Sequence, residues 1–218
     1  MNNIINALQK RYATKKFNAD FKLSAEQEQQ IQDIIRLTPS SMGIQPYEVV
    51  FVKEPGLKKS LMAAAYNQGQ VESSAMTIVF AIGDPIEKGW FDRQAELLIK
   101  ERHMPREKAE SYMNGFKSSF EGMSKAARLE WAGRQAYIAL GSLLTSLAME
   151  GLDACPMEGF DRATFDDILN LGERGLSSLV ILTVGQRSPE DQTQYEAKVR
   201  KSSRELFSYA LSQTPEWN

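Results

Sequence analysis

Basic side chains gather where an amphipathic segment ends. Arg11, Lys15 and Lys16 fall in RYATKKF (11–17), directly after a stretch whose Ile4, Ile5 and Leu8 share one helical face. Cations at a helix C-terminus complement its dipole, so a solvated cap is one reading. The other is an anion site, with a phosphate held by Arg11 and a planar ligand met by Lys15. TPSSMGIQPY (38–47) packs hydroxyls, a glycine and a glutamine between prolines, which forbids regular structure and presents polar groups from a stiff turn. YNQGQVESSA (66–75) carries Asn67 and Gln70, amides that are either solvated or matched to the donors and acceptors of a heterocycle edge. PMEG (156–159) brackets a turn with Pro156 and Gly159; a chain stopped there is an ordinary turn or a backbone lying against a flat ligand. Late in the chain come Lys198, Arg200, Lys201 and Arg204, either as a solvated basic tail or, given Phe207, Tyr209 and Leu211, as a segment packed on a second subunit.

Other chemistries lack their residues. No GxGxxG follows a strand, and neither GxxxxGK[ST] nor GxSxG occurs. His103 is the sole histidine and lies in a charged helical stretch, which leaves no base for a Ser-His-Asp or Cys-His system. One cysteine, Cys155, excludes an internal disulfide framework and, with a single histidine, a structural zinc site. Cys155 sits in an apolar run, where a thiol behaves as a small hydrophobe. Any catalytic atoms are therefore expected to belong to a bound cofactor. A net charge of -2 without a long basic run makes nucleic acid a poor partner. The N-terminal MNNIINALQKR has no apolar core of a secretion signal, and the composition points to a reducing cytoplasm.

The elements that must position these groups are organised around 130–161. Ala132, Ala136, Ala139, Leu140, Leu143 and Leu147 recur at helical spacing, and Gly151 supplies a stop. Arg134, Gln135 and Ser142 interrupt the roughly 20 apolar residues a bilayer span needs. A short strand at 152–155 follows, and Asp161 is placed to cap the next helix. Ser24 with Gln27 has capping-box spacing for a helix running to Pro39. Strands are expected at 47–53, 76–83 and 176–185, the second apolar enough to be buried on both faces and the third a core strand. A helix is expected over 55–66. Residues 85–128 read as a charged, peripheral helical excursion. With 218 residues and 42% hydrophobic content the chain suffices for one large domain or two small ones.

The order RYATKKF, TPSSMGIQPY, Asn67/Gln70, a buried helix, CPMEGFD and a late KVR resembles the nitroreductase family of FMN-dependent NAD(P)H oxidoreductases, most closely its oxygen-insensitive branch. The likeness spans nearly the whole chain. It implies an α+β sandwich with a mixed central sheet flanked by helices, a single domain over 1–218 with the excursion at 85–128, and an intertwined homodimer wrapped by a tail at 198–218. It also implies FMN at the dimer interface, with NADH or NADPH as co-substrate. By position, Arg11, Lys198 and Arg200 would hold the FMN phosphate, with Tyr12 and Ala13 beside them. Lys15 would approach the ring edge that becomes negative on reduction. Asn67 and Gln70 would meet the pyrimidine edge, and Pro39, Ser40, Ser41, Gly43 and Gln135 would complete the pocket, the serines and glycine arriving from the partner. Pro156, Met157, Glu158 and Gly159 would line the other ring face, with the Glu158 N–H at N5. Met42 and one of Phe116 or Phe120 would border the acceptor, a nitroaromatic or quinone. Ala13 stands where a serine is usual, Gln70 where the branch has lysine, and Met42-Gly43 where it has Thr-Asn. Enone reduction, flavin reduction, dehalogenation, or flavin binding with little turnover are the alternatives the resemblance leaves open.

Overall fold

The structure, a computed structural model, describes residues 2–209. Residues 210–218, including Leu211 and the end of the expected dimer-wrapping tail, lie outside the described residues. In chain order the elements are α1 (Asn2–Lys10), α2 (Ala25–Leu37), β1 (Tyr47–Val52), α3 (Pro55–Ala64), α4 (Gln70–Ser73), β2 (Met76–Gly83), α5 (Trp90–Arg102), α6 (Arg106–Glu121), α7 (Lys125–Met149), β3 (Asp153–Met157), α8 (Arg162–Ile168), β4 (Leu176–Gly185) and α9 (Ser203–Leu206).

Local chemistry sets most boundaries. Ser24 Oγ accepts the Gln27 N–H at 3.1 Å while Gln27 Oε1 accepts the Ser24 N–H at 2.9 Å, a complete capping box for α2. Asp161 accepts the Thr164 N–H at 2.7 Å and starts α8. α3 stops at Ala64 rather than at 66, because Tyr66 and Asn67 turn left-handed with φ of 54° and 57°. α7 is longer than its apolar pattern indicates: it begins where Ser124 Oγ accepts the Ala127 N–H. Its 25 residues span about 37 Å. Gly151, at φ 74°, ends it, and the Leu152 N–H returns to the Leu147 carbonyl at 2.9 Å.

The four described strands lie in the order β1-β2-β4-β3. All their pairings are antiparallel, so the expected mixed sheet is corrected; the one parallel pairing among the described residues is the isolated bridge Ala13–Ala154. The apolar runs β2 and β4 are the inner strands, as their composition requires. Along β2, Met76, Ile78, Phe80 and Ile82 face a core with Leu140, Leu143 and Leu147 of α7 and Ile31 of α2, whereas Val79 faces Leu61 of α3 and Phe165 of α8. Helices thus cover both sheet faces, an α+β sandwich. Pro156 belongs to β3 rather than to a turn, which an edge strand tolerates because the missing N–H need not serve a neighbour.

The 85–128 region is less peripheral than its charge implies. Trp90, Phe91, Leu98, Met113 and Phe120 close a second core against Ala81 and Leu176 of the sheet. No helix among the described residues is long and apolar enough to cross a membrane.

Candidate functional site

Arg11, Lys198 and Arg200, remote in sequence, border one cavity of about 470 Å³ together with Tyr12, Ala13 and Pro156. The Lys198 ammonium donates to the Arg11 carbonyl, which pins the late segment on RYATKKF. Burial and then the nearby Arg200 guanidinium hold Arg11 below its ordinary pKa; burial and then Arg200 and Arg11 do the same to Lys198. None of the three is ion-paired among the described residues. Glu196 also lines the cavity but pairs with none of the three, so the converging like charges form a site that an anion would relieve.

The floor beside this cavity comes from β3 and the loop before α4. Lys15 Nζ lies 4.0 Å from Cys155 Sγ. Burial pushes the Cys155 thiol up, opposed by Lys15 and Arg11. Gln70 is buried, and its amide donates to Gln68 Oε1 at 3.4 Å, while Gln68 Nε2 donates to the Gly159 carbonyl at 2.7 Å. Gln68 therefore ties the loop carrying Asn67 and Gln70 to the turn carrying Glu158 and Gly159. Nothing in its spacing singled it out from its neighbours. Asn67 is exposed in a left-handed conformation. The Glu158 N–H follows the last residue of β3 and has no intramolecular acceptor among the described residues. Its carboxylate accepts from the Tyr137 hydroxyl of α7.

The remaining expected residues assemble elsewhere. Ser41 donates its N–H to Gln135 Oε1 at 2.8 Å, so the Gln135 carbonyl oxygen holds the 41–43 turn rather than standing free for a ligand. Met42 adopts φ 57°, a strained conformation for a side-chain-bearing residue. Gly43, at φ 70°, approaches α5 so closely that a Cβ would lie 2.8 Å from Gln94 Nε2. Gln45, not foreseen, points its amide at the Arg36 carbonyl at 3.0 Å and closes the C-terminus of α2. Pro39 is exposed and Ser40 Oγ accepts the Gln45 N–H at 2.9 Å. Phe120 is 8% exposed and meets Phe91 and Trp131 edge-on at 5.0 and 4.6 Å. It is a core residue, and its expected place over a substrate is corrected. Phe116, half-buried beside Tyr112, keeps an open side.

The site thus falls into two sets on one chain: cations, Gln70 and the Glu158 turn on one side, and the 40–43 turn, Gln135 and Phe116 on the other. No hydrogen bond among the described residues joins residues of one set to the other. The first set fits a phosphorylated planar ligand: unneutralised cations at one end, an amine beside the floor, and a free N–H at an edge-strand terminus.

Tyr12 and Tyr137 donate to the carboxylates of Asp191 and Glu158. Burial, then these hydrogen bonds, push both phenols up from 10.0 to about 12. An unfolded chain releases those protons near pH 10 while the folded one keeps them. Stability is therefore complete below pH 10 and falls as pH rises toward 12. Denaturant midpoints at pH 9 and 11 should show this fall, and Tyr137→Phe should make it shallower; an identical fall in the variant would rule out Tyr137 as a contributor.

The family model described as the nitroreductase family matches residues 8–186. This chain belongs to that family of oxidoreductases. It is 30% identical over 196 residues to an oxygen-insensitive NAD(P)H nitroreductase of Enterobacter cloacae, covering 86% of this chain and 90% of that protein. Its fold is similar to that of the Bacillus subtilis protein ydfN, with a TM-score of 0.84 at 21% identity, covering 96% and 100% of the two chains. A protein of Exiguobacterium sibiricum solved in complex with FMN gives a TM-score of 0.81 at 18% identity, covering 95% and 97%. The span matched by the family model ends before Lys198 and Arg200, so those cations rest on the geometry above.

Proposed function

We propose that the chain works as a homodimeric cytoplasmic flavoenzyme, one domain over 1–218 with its tail laid on the partner, which binds FMN and oxidises NADH or NADPH in a ping-pong cycle with nitroaromatic or quinone acceptors. The observation that carries this is the convergence of Arg11, Lys198 and Arg200 on one cavity beside Lys15 and the free Glu158 N–H. FMN, when bound, would supply the redox chemistry, hydride transfer between a nicotinamide and the acceptor. The chain's own part is binding and orientation. Arg11, Lys198 and Arg200 hold the phosphate, and the Lys15 ammonium favours negative charge at the adjacent ring edge. Gln70 and Asn67 would meet its polar rim, and the Glu158 N–H, at the end of β3, would offer it a hydrogen bond. No side chain needs to act as a nucleophile.

A dimer accounts for the division of the site, since the set around Ser40, Ser41, Gly43 and Gln135 then meets the cationic set of the other copy. Apolar side chains left open on one chain support it: Ile5 on α1 is 53% exposed, Ile138 on α7 45% and Tyr209 in the tail 89%. Replacing Phe207 and Tyr209 with serine should weaken the dimer by about 2 kcal/mol or more, some thirtyfold. Sedimentation over a dilution series checks this, and an unaltered dimer would remove the tail from the interface.

The function is tested on purified protein. It should be yellow, lose the colour anaerobically on adding NADH or NADPH, and regain it with menadione or a nitrofuran faster than with free FMN or an enone. Protein that neither retains nor rebinds FMN would sink the proposal. Protein that is yellow yet not bleached would be a flavin binder rather than this enzyme.

A further inference from the structure

We propose that Asp191 is a positioning residue that fixes the two cationic segments of the phosphate cradle relative to each other, and so sets phosphate affinity without touching the phosphate. The inference rests on the FMN reading above and concerns a residue that neither motif nor spacing singled out.

Asp191 is 2% exposed. Its Oδ2 accepts from the Tyr12 hydroxyl at 2.9 Å, the Lys15 N–H at 2.7 Å and the Lys16 N–H at 3.1 Å. All three donors belong to RYATKKF, the segment that carries Arg11 and Lys15. Its Oδ1 accepts the Thr193 N–H at 3.1 Å and caps the 3-10 turn Gln192–Tyr195, which leads to Lys198 and Arg200. One buried carboxylate therefore has an oxygen on each half of the cradle. The surroundings tighten the same joint. The Ser188 N–H donates to the Lys16 carbonyl at 2.9 Å, and the Asp191 N–H donates to the Ser188 carbonyl at 3.1 Å. The Arg187 guanidinium stacks 4.7 Å over the Tyr12 ring, and its Nε donates to Asp153 Oδ1 at 2.8 Å.

Only a carboxylate satisfies this arrangement, because every partner is a donor and both oxygens are used. An asparagine of the same shape accepts on one oxygen and must turn its NH2 toward N–H groups on one side. Either RYATKKF or the turn before Lys198 is then released, and the cations lose their mutual register. Of the proposed ring contacts, Gln70 and the Glu158 turn lie outside this joint and Lys15 lies within it, whereas all three phosphate cations depend on it.

The test measures affinities of FMN and riboflavin for the flavin-free protein by quenching of flavin fluorescence. Riboflavin keeps the ring and lacks the phosphate. The wild type should prefer FMN, and Asp191→Asn should lower that preference about tenfold, with riboflavin affinity falling far less than FMN affinity. A general loss of folded protein lowers both affinities alike and leaves their ratio unmoved. If Asp191→Asn does not fold, Asp191→Glu, which keeps the charge but displaces both oxygens, decides the matter by a severalfold drop in the ratio. A wild-type ratio in the folded variant overturns the role of Asp191 while leaving the cofactor reading intact. A wild type that binds riboflavin as tightly as FMN overturns the phosphate site itself and the inference with it.

Discussion

Arg200→Ala is expected to purify as folded but colourless protein. Arg200 is exposed, and its recorded hydrogen bond is to the neighbouring Val199 carbonyl at 2.6 Å, so the fold does not depend on it. The phosphate does. Losing one charged hydrogen-bond partner of the phosphate costs about 1.5–3 kcal/mol, roughly tenfold to a hundred-and-fiftyfold in FMN affinity. The same change should relieve the flavin-free protein. Burial and then Arg200 depress Lys198, and Arg200 also weighs on Arg11. A lysine with a depressed pKa is charged in the fold at a cost, which persists at neutral pH and fades only as pH rises past its folded pKa. Flavin-free Arg200→Ala should therefore melt no lower than flavin-free wild type, and inorganic phosphate should stabilise it less. Flavin content measured from the absorbance ratio checks the main effect; normal occupancy would falsify the phosphate assignment.

The second large effect is on stability. Arg128→Ala should cost about 3–5 kcal/mol, because it strands a buried carboxylate. The Asp84 side chain is 1% exposed, and Arg128 meets it through Nε at 2.9 Å and Nη2 at 2.7 Å. Burial alone would raise the Asp84 carboxyl, but Arg128 and the Ile86 N–H outweigh it and hold it below the ordinary value. Arg128 also donates to the Met123 carbonyl at 2.6 Å, where α6 has ended, so the loss reaches the helical excursion bearing Phe116. By contrast, Arg106→Ala breaks solvent-screened, exposed pairs with Glu96 and Glu110 and should leave the urea midpoint almost unmoved. Urea titrations of the two variants side by side measure the difference. Equal losses would mean that the Asp84 pair behaves as a surface pair.

How much of this the amino-acid order already contained follows the range of the interactions. Segments whose instructions are local were legible: the Ser24–Gln27 box, Asp161 at the start of α8, Gly151 at the end of α7, and the continuous apolar runs that became the inner strands β2 and β4. The cations of the site were legible as residue types in a recognisable order, and the structure brings Arg11, Lys198 and Arg200 to one cavity. Phe120 and Phe116 have the same chemistry and nearly the same place in α6, so the pattern did not separate them. Packing did, by turning Phe120 onto Phe91 and Trp131.

The sequence by itself determined the composition of this protein's elements, because helix periodicity, capping and apolar runs act within a few residues of their own position. Tertiary structure alone decided the antiparallel pairing of every described strand, the edge place that lets Pro156 lie in β3, the commitment of Gln135 to the 41–43 turn, and the partners of Asp191 and Asp84. Those depend on groups far apart along the chain becoming neighbours in a dry interior, where a single hydrogen bond or charge outweighs any local preference.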